Sequence, residues 1–167
     1  MSAAELHRST AARFTEVVAG VTERDVPAPV DGWTARDVVG HLVEWFPVFL
    51  AAGGVELAPG PSVADDPQGA WSHQVEQVQE LLDGPDAEFT HPHVGTMPLH
   101  QAVDRFYIAD VFMHTWDLAR ANGQEPGLDR RLPAGPPRRL HRPRPLSVIV
   151  LARFADLSTV SHAWNGG

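Results

Sequence analysis

The chain of 167 residues contains no cysteine and no lysine. Without cysteine it has no disulfide framework, no thiolate zinc site and no cysteine nucleophile. Any metal must therefore be bound by histidine and carboxylate side chains, and any thiol chemistry must use a thiol from outside. The sequence also lacks a glycine-rich phosphate loop and the nucleophile-elbow pattern of hydrolases. These absences leave histidine and carboxylate chemistry as the main possibility for a site.

Long hydrophobic runs are absent as well. The longest one, at positions 45–52, contains Pro47 and is far shorter than the ~20 residues that span a bilayer. Glu5, His7 and Arg8 interrupt the N-terminal segment, where a signal peptide would have its apolar core. We therefore expect a soluble cytoplasmic protein with no membrane partner.

Charge is distributed unevenly along the chain. The net charge of −8 argues against a nucleic-acid partner. Residues 1–129 carry −14, whereas residues 130–167 carry +6 and are rich in arginine and proline. We predict a folded domain at 1–128 and an irregular basic tail at 129–167. The tail is apolar at 146–152, where it could dock on its own subunit or on a neighbour, so a homodimer stays open.

Hydrophobic periodicity predicts four amphipathic helices. They cover approximately positions 2–21, 34–52, 70–82 and 98–121. In the second helix, Thr34 followed by Asp37 is a capping-box pattern, and Pro47 should kink or shorten the helix. Positions 88–95 are predicted to be short and irregular or extended. Four helices with short or medium connections predict an all-α fold, an antiparallel four-helix bundle.

The fourth predicted helix carries two ionisable residues on its apolar side. The expected apolar stripe consists of Val103, Phe106, Met113 and Trp116. Asp110 and His114 interrupt this stripe, and their spacing of four places both side chains on one side of the helix. A carboxylate buried among apolar residues normally neutralises, pairs or binds a metal. The two residues are therefore either a structural Asp–His pair or two ligands of one divalent ion.

A further histidine, His41, lies on the predicted core face of the second helix. In a bundle this helix can face the fourth one across the core. Two histidines and one carboxylate are a common protein contribution to a catalytic divalent metal, with positions left for water or substrate. His41, Asp110 and His114 are therefore candidate metal ligands, although a single histidine in a helix stripe is more often a packed core residue.

Other ionisable residues near these positions have simpler interpretations. Glu44 is expected to be solvated or to support the site from outside. Asp117 is expected to hydrogen-bond within the bundle or to orient a ligand histidine. Arg120 is expected to offset the dipole at the end of its helix. His91 and His93 lie outside the helices and would point the same way only in an extended segment. The remaining histidines are given no role.

Two segments of the chain resemble a known family. Gly-Trp-Thr-Ala-Arg-Asp-Val-Val-Gly-His-Leu at positions 32–42 resembles the Gly-Trp-Thr-x-Arg-Asp-x-x-x-His-Leu segment of the DinB-like, mycothiol-dependent maleylpyruvate isomerase superfamily. The segment at 110–124, with His-Thr-Trp-Asp-Leu-Ala-Arg-Ala and a closing Gly-Gln, is similar to the signature of an actinobacterial branch of that superfamily. Gly-Thr-Met-Pro at 95–98 also matches. The resemblance covers roughly residues 5–128, and the tail departs from it as a reading-frame shift or a divergent terminus would.

The resemblance implies a DinB/YfiT-like four-helix bundle that binds a divalent metal, often zinc or nickel, through His41, Asp110 and His114. The isomerase itself has glutamate at the acid position. Characterised relatives use a low-molecular-weight thiol such as mycothiol as cofactor or co-substrate. The implied function is a metal- and thiol-dependent transferase or isomerase that acts on a small electrophilic substrate. Two alternatives stay open: a metal- or small-ligand-binding bundle without catalysis, and a structural bundle with no metal.

Overall fold

The structure is a computed structural model that describes residues 1–127 of the chain. These residues form four helices packed together and one short β-hairpin. The first three helices are Ala3–Ala19, Ala35–Ala52 and Pro67–Asp83, and the hairpin strands are Glu88–His91 and Gly95–Pro98. The fourth helix is a continuous run of three segments, Leu99–Ala102, Val103–Ile108 and Ala109–Ala121. The predicted basic tail at 129–167, with its apolar part at 146–152, lies outside the described residues.

Side-chain caps determine where helices begin. Thr34 and Asp37 form the predicted capping box: the Asp37 amide donates to Thr34 Oγ1 at 3.4 Å, and the Thr34 amide donates to Asp37 Oδ2 at 2.7 Å. At the third helix, Asp66 accepts a hydrogen bond from the Gly69 amide. This cap, followed by Pro67 in the first turn, starts the third helix earlier than the predicted position 70.

The second helix continues through Pro47. It runs from Ala35 to Ala52, so Pro47 does not shorten it, and the alternative, a kink at Pro47, stays a prediction. Phe46 and Phe49 on either side of the proline are almost completely buried. Burial of these aromatic rings stabilises the helix on both sides of Pro47, which offsets the lost backbone hydrogen bond. Neither this helix nor any other within residues 1–127 has both the length and the apolar character needed to cross a membrane.

The four helices pack in a defined order. The first helix contacts the third and the fourth, and the second helix also contacts the third and the fourth. The first and third helices run antiparallel, because His7 bonds to Gln79 whereas Thr15 bonds to Trp71. The helix that carries His41 therefore lies directly beside the fourth helix. A site shared by His41, Asp110 and His114 needs this arrangement.

The fourth helix contains a π-helical segment, Val103–Ile108, that the sequence did not indicate. The Ala109 amide donates to the carbonyl of Asp104, five residues earlier. Such wide turns are rare and frequently occur at functional sites. The segment holds Tyr107, which is completely buried, about one turn before Asp110.

Of the four residues predicted for the apolar stripe of this helix, only Val103 is buried, and Phe106 is half-buried. Met113 is 44% exposed and Trp116 is 43% exposed, so that part of the prediction was wrong. The face that is buried consists of Val103, Tyr107, Ile108, Asp110, Val111, His114, Thr115, Leu118 and Ala119. The prediction grouped residues by hydrophobicity alone. With a repeat of 3.6 residues per turn, Asp110 and His114 share a helix face with the buried positions 103, 107, 111 and 118. Asp110 and His114 therefore lie in the middle of the buried face.

The hairpin makes the fold mostly helical rather than all-α. Strand Glu88–His91 pairs antiparallel with strand Gly95–Pro98, where the sequence predicted a short irregular or extended segment. Phe89 and His91 point into the core, and the alternate positions of that strand are exposed. Gly95 has a φ of 80°, a left-handed conformation that glycine adopts without strain. The hairpin leads the chain directly into the fourth helix.

Candidate metal site

His41, Asp110 and His114 come together between the second and fourth helices. His41 Nε2 lies 3.0 Å from Asp110 Oδ2, and His114 Nε2 lies 3.6 Å from Asp110 Oδ1. One ligand atom from each residue lies within 4.8 Å of the other two, and all three residues are buried. Ligand atoms that lie about 2.0–2.2 Å from one ion are roughly 3–4 Å apart. The group could therefore hold a metal ion if the ligand atoms that are farthest apart moved slightly closer together.

Asp117 fixes the orientation of His114. Its Oδ2 atom lies 3.0 Å from His114 Nδ1, within the bundle as predicted. Because an ionised carboxylate only accepts hydrogen bonds, Nδ1 must carry a hydrogen and donate it. In the neutral imidazole, His114 Nε2 then carries a lone pair. Carboxylates commonly orient metal-binding histidines in this manner.

The orientation of His114 brings two electron-rich atoms together. The Nε2 lone pair lies 3.6 Å from Asp110 Oδ1, and Nε2 has no hydrogen-bond partner within residues 1–127. Such an arrangement is unfavourable in a buried site unless a positive charge lies between the two atoms. That charge is either a second proton on His114 or a metal ion bound by both residues. The donor set thus fits a divalent metal. The competing explanation is a second proton on His114.

Two tryptophans enclose the histidines. The ring centroid of Trp33 lies 5.0 Å from that of His41 and 5.7 Å from that of His114. Trp45, one turn after His41, lies 6.0 Å from it. Trp45 is buried and Trp33 is half-buried, so the histidines lie beside apolar rings, where electrostatic interactions are stronger than in water. The sequence indicated packing roles for both residues, Trp33 before the cap of the second helix and Trp45 on its core face, but no position beside a metal site.

Other predicted residues lie away from the three candidate ligands. Glu44 is exposed. Arg120 is in the last turn of its helix, as expected for an interaction with the dipole, and its guanidinium lies 5.8 Å from the ring centroid of Trp116. His91 is buried in the hairpin, where its Nδ1 accepts a hydrogen bond from the amide of His93 at 3.1 Å. This hydrogen bond joins the two histidines within the hairpin.

His7 received no role from the sequence, yet it is almost completely buried in the first helix. Its Nδ1 atom lies 2.8 Å from Gln79 Oε1 on the third helix. Burial lowers the pKa of His7 below its ordinary value, and the hydrogen bond to Gln79 offsets only part of that effect. The signal available in the sequence was its position on the same helix face as Phe14.

No family model, curated protein or solved structure matches this chain. The resemblance to the DinB-like superfamily is therefore a resemblance of two sequence motifs, at 32–42 and 110–124. The fold and the site together define a mostly helical protein of four packed helices with a buried His–Asp–His group that could hold a metal ion.

Proposed function

We propose that His41, Asp110 and His114 bind one divalent metal ion, zinc or nickel, in a DinB-like bundle that acts as a thiol-dependent transferase or isomerase. The observation that supports the metal is the meeting of three buried ligand atoms within 4.8 Å. His114 Nε2, which has no hydrogen-bond partner in residues 1–127 and lies 3.6 Å from Asp110 Oδ1, adds to this argument. The thiol and the reaction class are supported by the resemblance of the two motifs.

Each polar residue of the site has a distinct role in this proposal. His41, Asp110 and His114 supply three ligands, which leaves room for water, thiol or substrate. A bound divalent cation lowers the pKa of a thiol or water in such a position. Asp117 keeps His114 Nε2 directed at the site and increases its basicity. Because aspartate is shorter than the glutamate of the isomerase, we expect the ion to lie closer to the fourth helix.

The nucleophile has to come from outside, because the chain has no cysteine. A small thiol would lose its proton to solvent, and its sulfur would add to one carbon of an electron-poor C=C bond of the substrate. A C–S bond would form, the π electron pair would move to the other carbon and its activating group, and a proton from solvent would complete the adduct. In a transferase the product keeps the thiol. In an isomerase the adduct would rotate about the former double bond, lose the added proton and release the thiolate as the C=C bond forms again. The indoles of Trp33 and Trp45 would keep water from the reacting atoms.

Cobalt(II) provides a spectroscopic test, because cobalt reports both its own binding and the binding of a thiolate. Stripped protein loaded with cobalt should show visible absorption of a four- or five-coordinate ion. Addition of mycothiol, or of N-acetylcysteine as a simple thiol, should add a thiolate-to-cobalt charge-transfer band. His114→Ala should lose both signals, whereas His73→Ala, on the third helix, should keep them. A cobalt spectrum without the thiol band would favour the non-catalytic metal-binding alternative, and no spectrum would reject the metal.

One competing function is favoured by a specific observation. Asp110 and Asp117 flank His114, with carboxylate oxygens 3.6 Å from Nε2 and 3.0 Å from Nδ1. A doubly protonated His114 could therefore bridge the two carboxylates in a bundle whose site is purely structural. Metal analysis after dialysis against excess zinc separates the two: about one ion per chain supports the metal centre, and no bound ion supports the structural pair.

A further inference from the structure

A second group of buried polar atoms lies between the first helix, the third helix and the π-helical segment. It consists of His7 Nε2, Thr10 Oγ1, Gln74 Nε2 and the Tyr107 hydroxyl, which we call the polar cluster. Each of these atoms is buried and has no hydrogen-bond partner in the part of the chain that the structure describes. The four residues are between 0% and 4% exposed. Native cores rarely leave even one such atom unsatisfied, so four in one region require an explanation.

The packing of the helices brings these residues into the same part of the core, between the first helix, the third helix and the π-helical segment. The antiparallel first and third helices are joined by hydrogen bonds from His7 to Gln79 and from Trp71 to Thr15. Thr10 on the first helix and Gln74 on the third helix both lie between these two connections. The ring centroids of His7 and Tyr107 are 6.1 Å apart. Gln74 is close enough to the Tyr107 hydroxyl to lower its pKa against the larger effect of burial, although their atoms do not reach the geometry of a full hydrogen bond.

The hydrogen-bonding capacity of the cluster follows from its neighbours. Gln79 Nε2 donates to Asp83 Oδ1 at 3.0 Å, which directs Gln79 Oε1 toward His7. His7 Nδ1 must then donate, so His7 Nε2 is an acceptor. Gln74 Nε2 is a donor, and the two hydroxyl groups can either donate or accept. Burial lowers the pKa of His7 and raises that of Tyr107, so both side chains are neutral near neutral pH.

We propose that the polar cluster binds one ordered water molecule inside the bundle. A water molecule donates two hydrogen bonds and accepts two, which matches one acceptor, one donor and two hydroxyl groups. The cluster contains no carboxylate, which argues against a cation, and its almost complete burial argues against a larger ligand. The π-helical turn that carries Tyr107 is an independent sign that this region is specialised.

The water would connect two parts of the molecule. On one side, Arg8 at the surface bonds to Asp83, Asp83 accepts from Gln79, and Gln79 accepts from His7. On the other side, the charge of Asp110 contributes to the raised pKa of Tyr107. A water between His7 and Tyr107 would therefore extend a hydrogen-bonded path from the surface toward the candidate metal site. The inference concerns residues outside that site and does not depend on the metal.

A single isosteric substitution tests for the water, because the melting temperature should change in opposite directions with and without it. Thr10→Val removes only the hydroxyl group. If the hydroxyl binds water, the melting temperature should fall by about 3–6 °C, because the water loses a partner. If the hydroxyl is unsatisfied in a dry core, the melting temperature should stay the same or rise, and the proposal is rejected. Thr115→Val is the matched control: this buried hydroxyl donates to the Val111 carbonyl at 2.7 Å in its own helix, so little change is expected.

Coupling between two positions tests whether their hydroxyl groups belong to one hydrogen-bonded group. Tyr107→Phe should lower the melting temperature, and the double variant with Thr10→Val should lose less than the sum of the two single losses. Strict additivity would contradict a shared water. A crystal structure of the full chain, at a resolution that shows ordered solvent, gives a second and independent measurement. We expect a water within hydrogen-bond distance of His7 Nε2 and Tyr107 Oη, and a direct bond between those two atoms would overturn the proposal.

Discussion

Addition of divalent metal should raise the melting temperature of stripped protein, by an amount that follows from the site. A ligand that binds only the native state, at a free concentration 100 times its Kd, adds about 2.7 kcal/mol to the free energy of unfolding. For a domain of this size, 1 kcal/mol corresponds to roughly 3–5 °C. The expected rise is therefore roughly 8–13 °C. In the unfolded chain the three ligands separate, so the native-state assumption is reasonable for histidine and carboxylate ligands.

Variants of the three candidate ligands should change this response in a graded manner. His114→Ala removes the Nε2 atom and should abolish the response. Asp110→Asn should weaken it, because a neutral amide is a poorer ligand than a carboxylate. His73→Ala, which leaves the buried triad intact, should respond as the wild type does. Each variant has to be compared with and without metal, because truncation of a buried side chain lowers the starting melting temperature by itself.

Circular dichroism at 222 nm, followed during heating with zinc or nickel in excess, measures the effect on a helical protein directly. An equal rise in wild type and His114→Ala would place the ion elsewhere on the molecule. The absence of a rise in the wild type at high zinc concentration would refute the argument that the lone pair of His114 and the carboxylate of Asp110 share a metal ion.

Three further predictions concern the surroundings of the site. Asp117→Asn should weaken metal binding roughly 10–100-fold in a chelator competition, because the amide no longer enforces one orientation of His114, and unchanged affinity would contradict that role. Lowering the pH from about 7.5 to about 5.5 should lower the melting temperature: the pKa of His7 is held below 6.5 by burial, so the unfolded chain takes up a proton that the native state does not. This decrease should be shallower in His7→Gln, and equal slopes would rule out the contribution. Deletion of the residues after Asp129 should leave metal binding and most of the melting temperature intact if the tail is a frame-shifted remnant, and a truncated protein that fails to fold would show that the tail completes the core.

The features that the sequence predicted are those determined by short spacings. Thr34 and Asp37 lie three positions apart, and the capping box follows from that spacing alone. Asp110 and His114 lie four positions apart, so they share a helix face in any α-helix. The approach of His41 required one more assumption, that the second and fourth helices are neighbours, and the structure shows that they are.

The features that the sequence did not predict depend on tertiary contacts. The π-helical segment around Tyr107 has no distinctive composition, and the hairpin forms where a four-residue strand gains a partner and a buried face. Met113 and Trp116 are large and apolar, but the face they occupy has no covering element among the described residues. His7 appeared isolated because its partner, Gln79, is distant in sequence and becomes a neighbour only when the first and third helices pack.

The position of Trp33 has a consequence for the rate at which small molecules exchange at the site. Its indole lies against both imidazoles, so a molecule that approaches from that side has to displace the ring. The backbone of Trp33 is held by two hydrogen bonds, to Ala28 at 2.8 Å and to Val30 at 3.0 Å, which tie the loop in front of the second helix. With the backbone held in this way, the ring can still move by rotation about its side-chain torsions. Entry from that side would then depend on how fast a half-buried indole rotates rather than on the strength of any bond that the ligand makes.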